Sequence, residues 1–146
     1  MIRVTRRYTF SASHRLHTAA LSDEVNREIF GKCDNPFGHG HNYEIAVSAR
    51  GPLDPLSGRV LNPAVLDRLV ELQVLRPFDH RNLNEEIPEF RDAVPTTENL
   101  ASEIFRRLQL NWKSAFPEDD GPELEKISIA ETPRNIFEVS ELHGQA

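Results

Sequence analysis

An alternation of polar and apolar side chains runs along residues 2–14, and it limits the fold more than any other feature of the chain. Two residues per repeat is the period of a β-strand with one buried face. The face expected to be buried carries Tyr8, Phe10, Ala12 and His14. The chain therefore begins with a strand, and a histidine stands at the end of that strand.

The bulk composition is that of one globular domain, which we expect to span residues 1–146. A net charge of −6 argues against a nucleic-acid-binding face, because phosphate neutralisation needs clustered Lys and Arg. No apolar run is long enough to cross a bilayer, so no membrane partner is expected. The single cysteine excludes an internal disulfide, and no signal peptide is recognisable in "MIRVTRRYTF"; both agree with a cytoplasmic location.

Turn residues and alternation predict the remaining strands. A second strand is expected from about His39 to Arg50, followed by the turn "GPLDPLSG" and a hairpin strand in "RVLN". The segments "LEKISIAE" and "NIFEVS" then form two closing strands around the turn "TPR". The first half of the chain is thus predicted to be a β-meander.

Capping residues and proline predict the helices. Ser22 is expected to cap a short helix in "SDEVNREIF", and the pair Asn62–Pro63 marks the start of a longer helix that ends before Pro77. The apolar stripe of that helix is Val65, Leu66, Leu69, Val70 and Leu72. Another helix is predicted from Thr96 or Thr97 to about residue 117, with Leu100, Ile104, Phe105 and Leu108 on its apolar face.

The element order is ββααββ, which predicts an α+β fold. Four antiparallel strands form one sheet in this prediction, and two amphipathic helices cover one of its faces. The other face and the sheet edges then need cover, which oligomerisation provides.

The sequence "HGH" places His39 and His41 two residues apart at the start of a strand. Their imidazoles therefore project from one face and can converge on a metal ion, with His14 as a third ligand. Three histidines leave a fourth position of zinc open, as in a catalytic site. The spacing alone leaves metal binding and a chance pair on a half-exposed strand about equally open.

Cys33 lies in the polar loop "GKCDNP", where three interpretations remain open. It is a buried small hydrophobic residue, a fourth zinc ligand that closes the site, or a reactive thiol. Burial as a core residue is the weakest of the three, because the neighbouring residues are polar.

Two acidic residues are further candidates. Asp79 and His80 form a carboxylate–imidazole pair suited to proton transfer, although a loop hydrogen-bond network explains them equally well. Glu131 ends an otherwise apolar strand, and two interpretations are open. It is a charge at the end of the strand, or it accepts two parallel hydrogen bonds from a heterocyclic ligand. His17 and His143 are not expected to be ligands.

Five segments, in order, resemble the 6-pyruvoyltetrahydropterin synthase family: "FSASHRL", "FGKCDNPFGHGHNY", "FDHRNLN", "PTTENLA" and "ETPRN". The resemblance implies the tunnelling fold, in which ββααββ units form a trimeric barrel and two trimers stack into a homohexamer. It also implies a zinc-dependent lyase that converts 7,8-dihydroneopterin triphosphate to 6-pyruvoyltetrahydropterin and triphosphate in tetrahydrobiopterin biosynthesis. No nicotinamide or flavin is expected.

The resemblance also implies a role for each matched residue. Cys33 is the general base, Asp79 and His80 come from a neighbouring subunit as a proton relay, and Glu131 anchors the pterin. The implied zinc ligands are His14, His39 and His41, and the implied lining of the pterin pocket is Thr96 and Thr97. Arg15 and Lys32 are candidates for the triphosphate contact.

Two other functions compete with this one. The related 6-carboxytetrahydropterin synthases of queuosine biosynthesis usually have the cysteine three residues before the H-x-H pair, whereas five residues separate Cys33 from His39 here. A non-catalytic, zinc-stabilised interaction module would instead use Cys33 as the fourth ligand. Asp34 and Phe37 stand where the family typically has asparagine, and we expect the charge of Asp34 to raise the thiol pKa.

Overall fold

A computed structural model describes residues 1–141 as one five-stranded sheet with helices on one face. The strands are β1 Ile2–His14, β2 His39–Gly51, β3 Arg81–Asn82, β4 Glu123–Thr132 and β5 Asn135–Ser140. The α-helices are α1 Asp23–Phe30, α2 Pro63–Val70, α3 Arg76–Phe78, α4 Leu83–Glu86 and α5 Thr97–Ala115. His143 lies outside the described residues.

The strand order is β3-β1-β2-β4-β5, and the pairs β1–β2, β2–β4 and β4–β5 are antiparallel. The register of β1 against β2 runs without interruption from Ile2 opposite Gly51 to His14 opposite His39. The predicted first, second and two closing strands are therefore confirmed. The α+β class is confirmed with them.

The core lies between one face of the sheet and the helices. Ile45, Ile127 and Ile129 on the strands are fully buried, as are Leu100 and Ile104 on the facing side of α5. This burial confirms the predicted apolar face of α5. No helix among residues 1–141 combines the length and apolarity required to span a bilayer.

The predicted hairpin strand "RVLN" is wrong. Residues 59–62 form no strand, and Leu61 instead packs into the hydrophobic core just before α2 begins. The sheet gains its fifth strand from β3, which pairs in parallel with β1 through Ala12 and Ser13. Two residues are too short to give a periodic signal, so this strand depends on tertiary contact.

The predicted helix end before Pro77 is also wrong. A π-helical turn at Glu71–Leu75 follows α2 directly and leads into α3, which contains Pro77. Proline normally clashes with the carbonyl four residues earlier, and a π turn widens the helix at that place. A π-helical turn contains about one residue more than an α-helical turn, so the residues within it point in different directions from those of a regular helix. Leu72, which the predicted apolar stripe places in the core, is accordingly 37% exposed.

The Asn62 cap of α2 can be tested by substitution. Its side chain accepts a hydrogen bond from the backbone N–H of Ala64 at 3.0 Å. We expect Asn62→Ala to lower the free energy of unfolding by about 1 kcal/mol, because that N–H loses its acceptor. Chemical denaturation measures the change. Asn62→Asp keeps an acceptor and is expected to unfold close to wild type; equal stability of the two variants would contradict the capping role.

Candidate metal centre

The register of β1 and β2 creates a cluster of three histidines. His14 is paired with His39, and His41 is paired with Ala12, two residues back along β1. Side chains two residues apart on a strand share a face, so all three imidazoles lie on the helix-covered side at the end of the two strands. The convergence predicted from the sequence is confirmed by this geometry.

The three rings face one another closely. Nε2 of His14 lies 3.0 Å from Nε2 of His39, and the three ring centroids are 4.6 to 5.0 Å apart. The site is sheltered, since His14 is only 1% exposed. Three histidines that could bind one metal ion are thus concentrated at one sheltered point.

Burial disfavours the charged forms of His14 and His39. It lowers the pKa of His14 to about 4, with smaller contributions from His39 and His41, against the opposing effect of a hydrogen bond with the carbonyl of Pro95. Nδ1 of His14 lies 2.8 Å from that carbonyl oxygen and must carry the proton to donate to it. In the neutral ring of His14, Nε2 then carries no proton, and its lone pair can bind a metal ion. Burial also lowers the pKa of His39, followed by the effect of His41.

Glu131 at the end of β4 completes the cluster. Its Oε1 lies 3.0 Å from Nε2 of His41, and one ligand atom from each of the four residues lies within 4.8 Å of all the others. Its Oε2 accepts a hydrogen bond from the hydroxyl of Thr97 at 2.6 Å. The sequence identified Glu131 as a candidate, but not its contact with the histidines.

The donor set fits a metal ion such as zinc. Within residues 1–141, Nδ1 of His39 and Nε2 of His41 are buried without a hydrogen-bond partner. Such orphaned nitrogens are costly unless something binds them. Imidazole nitrogens together with one carboxylate oxygen are a common zinc ligand set. The Pro95 carbonyl, which is not itself a ligand, would fix the orientation of the His14 ring through its hydrogen bond with Nδ1.

Cys33 lies outside this group of four. It is partly buried in a short 3₁₀ turn, Gly31–Asp34, whose Cys33 carbonyl accepts the N–H of Leu16 at 2.7 Å. Burial raises the pKa of its thiol above the ordinary value, and the negative charge of Glu131 raises it further. The thiol is therefore close enough to Glu131 to be affected by its charge, but it does not belong to the four residues whose ligand atoms cluster together.

Asp34 does not act on the thiol as predicted. Its carboxylate, which is 6% exposed, lies 3.0 Å from the guanidinium of Arg15 and 2.6 Å from Nδ1 of His17. This pairing compensates its charge, so burial and Glu131 account for the raised thiol pKa instead. The contact joins residues far apart in sequence, and no local pattern predicts it. It also occupies Arg15, one of the two triphosphate candidates, while Lys32 is exposed.

Asp79 and His80 lie at the sheet edge beside β1. Oδ1 of Asp79 accepts the N–H of Ser11 at 2.9 Å and lies 3.0 Å from Nδ1 of His80. The His80 N–H donates to the Ser11 carbonyl at 2.5 Å, and His80 has a φ of 59°, in the left-handed region. The His80 side chain is 82% exposed and is absent from the donor group around His14.

Thr96 and Thr97 have different roles at the start of α5. The Thr96 hydroxyl caps the helix by accepting the N–H of Asn99 at 3.1 Å, whereas Thr97 bonds Glu131. Tyr43 is a further residue of the site that was not predicted: it is fully buried, with its hydroxyl 3.5 Å from Nδ1 of His14. The alternation of His39, His41 and Tyr43 along β2 was the signal that could have revealed it.

Comparison with known proteins gives a consistent result. A family model described as 6-pyruvoyl tetrahydropterin synthase matches residues 3–142. The 6-pyruvoyl tetrahydrobiopterin synthase of Homo sapiens is 46% identical, over 91% of this chain and 87% of that protein. The solved structure of Caenorhabditis elegans 6-pyruvoyl tetrahydropterin synthase is 43% identical and superposes with a TM-score of 0.85, over 97% of this chain and 96% of that one.

A protein named for the competing activity is more distant. The 6-carboxy-5,6,7,8-tetrahydropterin synthase of Bacillus subtilis is 28% identical, over 86% of this chain and 82% of that protein. The difference in identity favours the pyruvoyl branch, as the spacing between Cys33 and His39 does.

The metal centre predicts the effect of removing one histidine. We expect His39→Ala to lose bound zinc, because a binding set of three imidazoles is reduced to two. Elemental analysis of the purified protein after zinc loading and dialysis measures this. His17→Gln removes a histidine outside the cluster and should retain zinc at the wild-type ratio. Full zinc content in His39→Ala would remove His39 from the ligand set.

Proposed function

The chain belongs to the 6-pyruvoyl tetrahydropterin synthase family, and we propose that it converts 7,8-dihydroneopterin triphosphate to 6-pyruvoyltetrahydropterin with release of triphosphate. The observation that carries the proposal is the sheltered cluster of three histidines with Glu131 beside it, whose charge also acts on the thiol of Cys33. The relatives that are more than 40% identical bear the name of this activity.

His14, His39 and His41 are proposed to hold zinc through their ring nitrogens. When bound, zinc supplies a Lewis acid that polarises the side-chain hydroxyls of the substrate and acidifies the neighbouring C–H. The chain contributes the sheltered donor set and its orientation: the Pro95 carbonyl keeps the proton of His14 on Nδ1.

Glu131 and Thr97 are proposed to recognise the pterin ring. A carboxylate can accept two parallel hydrogen bonds from the amino group and the ring N–H of the pterin. Thr97 holds one oxygen of Glu131 and fixes the plane of the carboxylate. The hydroxyl of Thr96 caps the N-terminus of α5 and so helps to fix the first turn of the helix, where Thr97 lies.

Cys33 is proposed as the general base that removes the side-chain proton. The electrons of the C1′–H bond move into the pterin ring and reduce its C6=N5 bond, while C1′ becomes a ketone. Loss of a second proton, from C2′, expels triphosphate from C3′, and the resulting enol gains a proton at C3′ to become the second ketone, with a terminal methyl group. The reaction is an internal redox change and consumes no external reductant. Burial and Glu131 raise the thiol pKa, and a nearby cation would lower it again.

Asp79 and His80 are proposed to act at the site of a neighbouring subunit. Within one chain the pair is held at the sheet edge by the backbone of Ser11, and the His80 side chain points into open solvent. Assembly of sheets into a trimeric barrel, and of two trimers into a hexamer, would bring such an edge group to another subunit. The active site would then lie at the subunit interface.

Product identification tests the reaction and the base together. Wild-type protein with zinc and 7,8-dihydroneopterin triphosphate should give 6-pyruvoyltetrahydropterin by mass spectrometry; the 6-carboxy product would support the competing activity. Cys33→Ala should lose about 10²- to 10⁴-fold in turnover, because proton removal lacks its base.

Zinc content separates a lost base from a lost ligand. Cys33→Ala is expected to keep the wild-type zinc ratio, since the thiol is outside the group of four donors. Loss of zinc together with turnover would sink the assignment as base and support the closed, structural site.

Subunit mixing tests the shared site. His80→Asn and Cys33→Ala should each be strongly impaired alone, and Asn is chosen because it tolerates the left-handed backbone of His80. After exchange, mixed oligomers should regain part of the activity, because some sites combine an intact Cys33 with an intact His80 from a neighbour. Mass spectrometry of the intact oligomers checks the exchange; no recovery after confirmed exchange would contradict a shared site.

A further inference from the structure

The position of Glu131 suggests a role in addition to binding the pterin. We propose that in the substrate-free protein the Glu131 carboxylate occupies the fourth coordination position of the metal, and that it leaves this position when the pterin ring binds. This inference rests on the proposed function, because it uses the metal and pterin sites assigned there.

The contact between Glu131 and His41 has the geometry of two ligands of one ion. Oε1 lies 3.0 Å from Nε2 of His41, yet that nitrogen has no hydrogen-bond partner among residues 1–141. With Nε2 of His41 in its unprotonated, metal-binding form, two lone pairs face each other at this distance, and a cation between them relieves their repulsion. Ligands at about 2.0–2.1 Å from a tetrahedral zinc ion stand about 3.3 Å apart, close to the observed separation.

Thr97 holds the carboxylate in this orientation. Its hydroxyl, on a residue that is 2% exposed, donates to Oε2 at 2.6 Å. Oε1 is therefore the oxygen that faces the histidines. A carboxylate fixed in this way needs little further ordering to bind the ion.

The two roles of Glu131 exclude each other. The amino group and ring N–H of a pterin lie at the opposite end of the ring from its side chain. A carboxylate that accepts their two parallel hydrogen bonds is therefore several ångströms away from the side chain that reaches the metal, and it cannot remain in the coordination position. Binding of the ring therefore frees a coordination position for the side-chain hydroxyls of the same substrate. By linkage, the ring and the Glu131–metal contact weaken each other.

Because of this competition, Glu131 both recognises the pterin ring and controls access to the metal; this second role is called the gate. Before substrate binds, the coordination sphere is closed by His14, His39, His41 and Glu131. Only a ligand whose ring draws Glu131 away opens it, so a hydroxylated molecule without the ring gains poor access to the metal. The selectivity for pterins then acts on coordination as well as on affinity.

Zinc affinity without substrate tests the first half of the inference. Metal-free full-length wild type, Glu131→Gln and Glu44→Gln are titrated with zinc against a chromophoric chelator. Glu44 is the matched control, since it lies exposed on β2 and its substitution removes the same charge. Glu131→Gln should weaken binding about ten- to a hundred-fold, a loss typical of groups that support a metal site, and Glu44→Gln should not. Wild-type affinity in Glu131→Gln would overturn the inference.

A spectroscopic measurement on the wild type tests the second half without depending on how a variant folds. Cobalt-substituted protein is titrated with 6-methylpterin, which carries the ring but no side-chain hydroxyl. The visible cobalt bands should shift at saturation, because Glu131 leaves the ion, whereas they should stay constant in Glu131→Gln. Unchanged bands in wild type at confirmed ring saturation would overturn the gate.

The turnover assay keeps the two proposals apart. Product from dihydroneopterin triphosphate with unchanged zinc affinity in Glu131→Gln refutes the gate and leaves the proposed function standing. Weakened zinc binding with shifted cobalt bands, but no product, supports the ligation and refutes the proposed reaction.

Discussion

The pairing of β1 with β2, which sets His14 opposite His39, is the constraint on which the rest of the site depends. It brings three imidazoles to one sheltered point, where burial disfavours the charged forms of His14 and His39 and the ring nitrogens face each other. Such an arrangement is expensive without something to bind. The Pro95 carbonyl, the start of α5 and the end of β4 all meet at this point: Pro95 orients His14, and Thr97 of α5 holds Glu131 of β4.

Glu131 connects the proposed pterin recognition to the proposed chemistry, because it acts on three parts of the site. It contacts His41, it is held by Thr97, and its charge contributes to the raised pKa of the Cys33 thiol. Any event that moves this carboxylate therefore changes the surroundings of the histidines and of the thiol together. In the proposed gate, that event is the binding of a ring that donates hydrogen bonds to both carboxylate oxygens.

The differences between the predicted and observed folds have local physical causes. Pro77 does not end its helix, because a π turn supplies the space that the proline ring needs. Leu61 enters the core instead of a hairpin strand, and the sheet is completed by the two residues of β3 next to β1. That short pairing also holds Asp79 and His80 at the sheet edge through the backbone of Ser11. Sequence rules that consider one segment at a time do not contain these contacts.

The sequence by itself determined the four long strands, the caps of the helices and the common face of His39 and His41, because side-chain period and capping chemistry are local properties. It also identified Cys33 and Glu131 as candidates from their residue types and from family resemblance. Only the tertiary structure decided that Glu131 reaches the histidines, that Asp34 turns to Arg15 and His17, and that His80 stands apart from the cluster. These outcomes depend on the register between strands and on contacts between segments distant in the chain, which no local periodicity encodes.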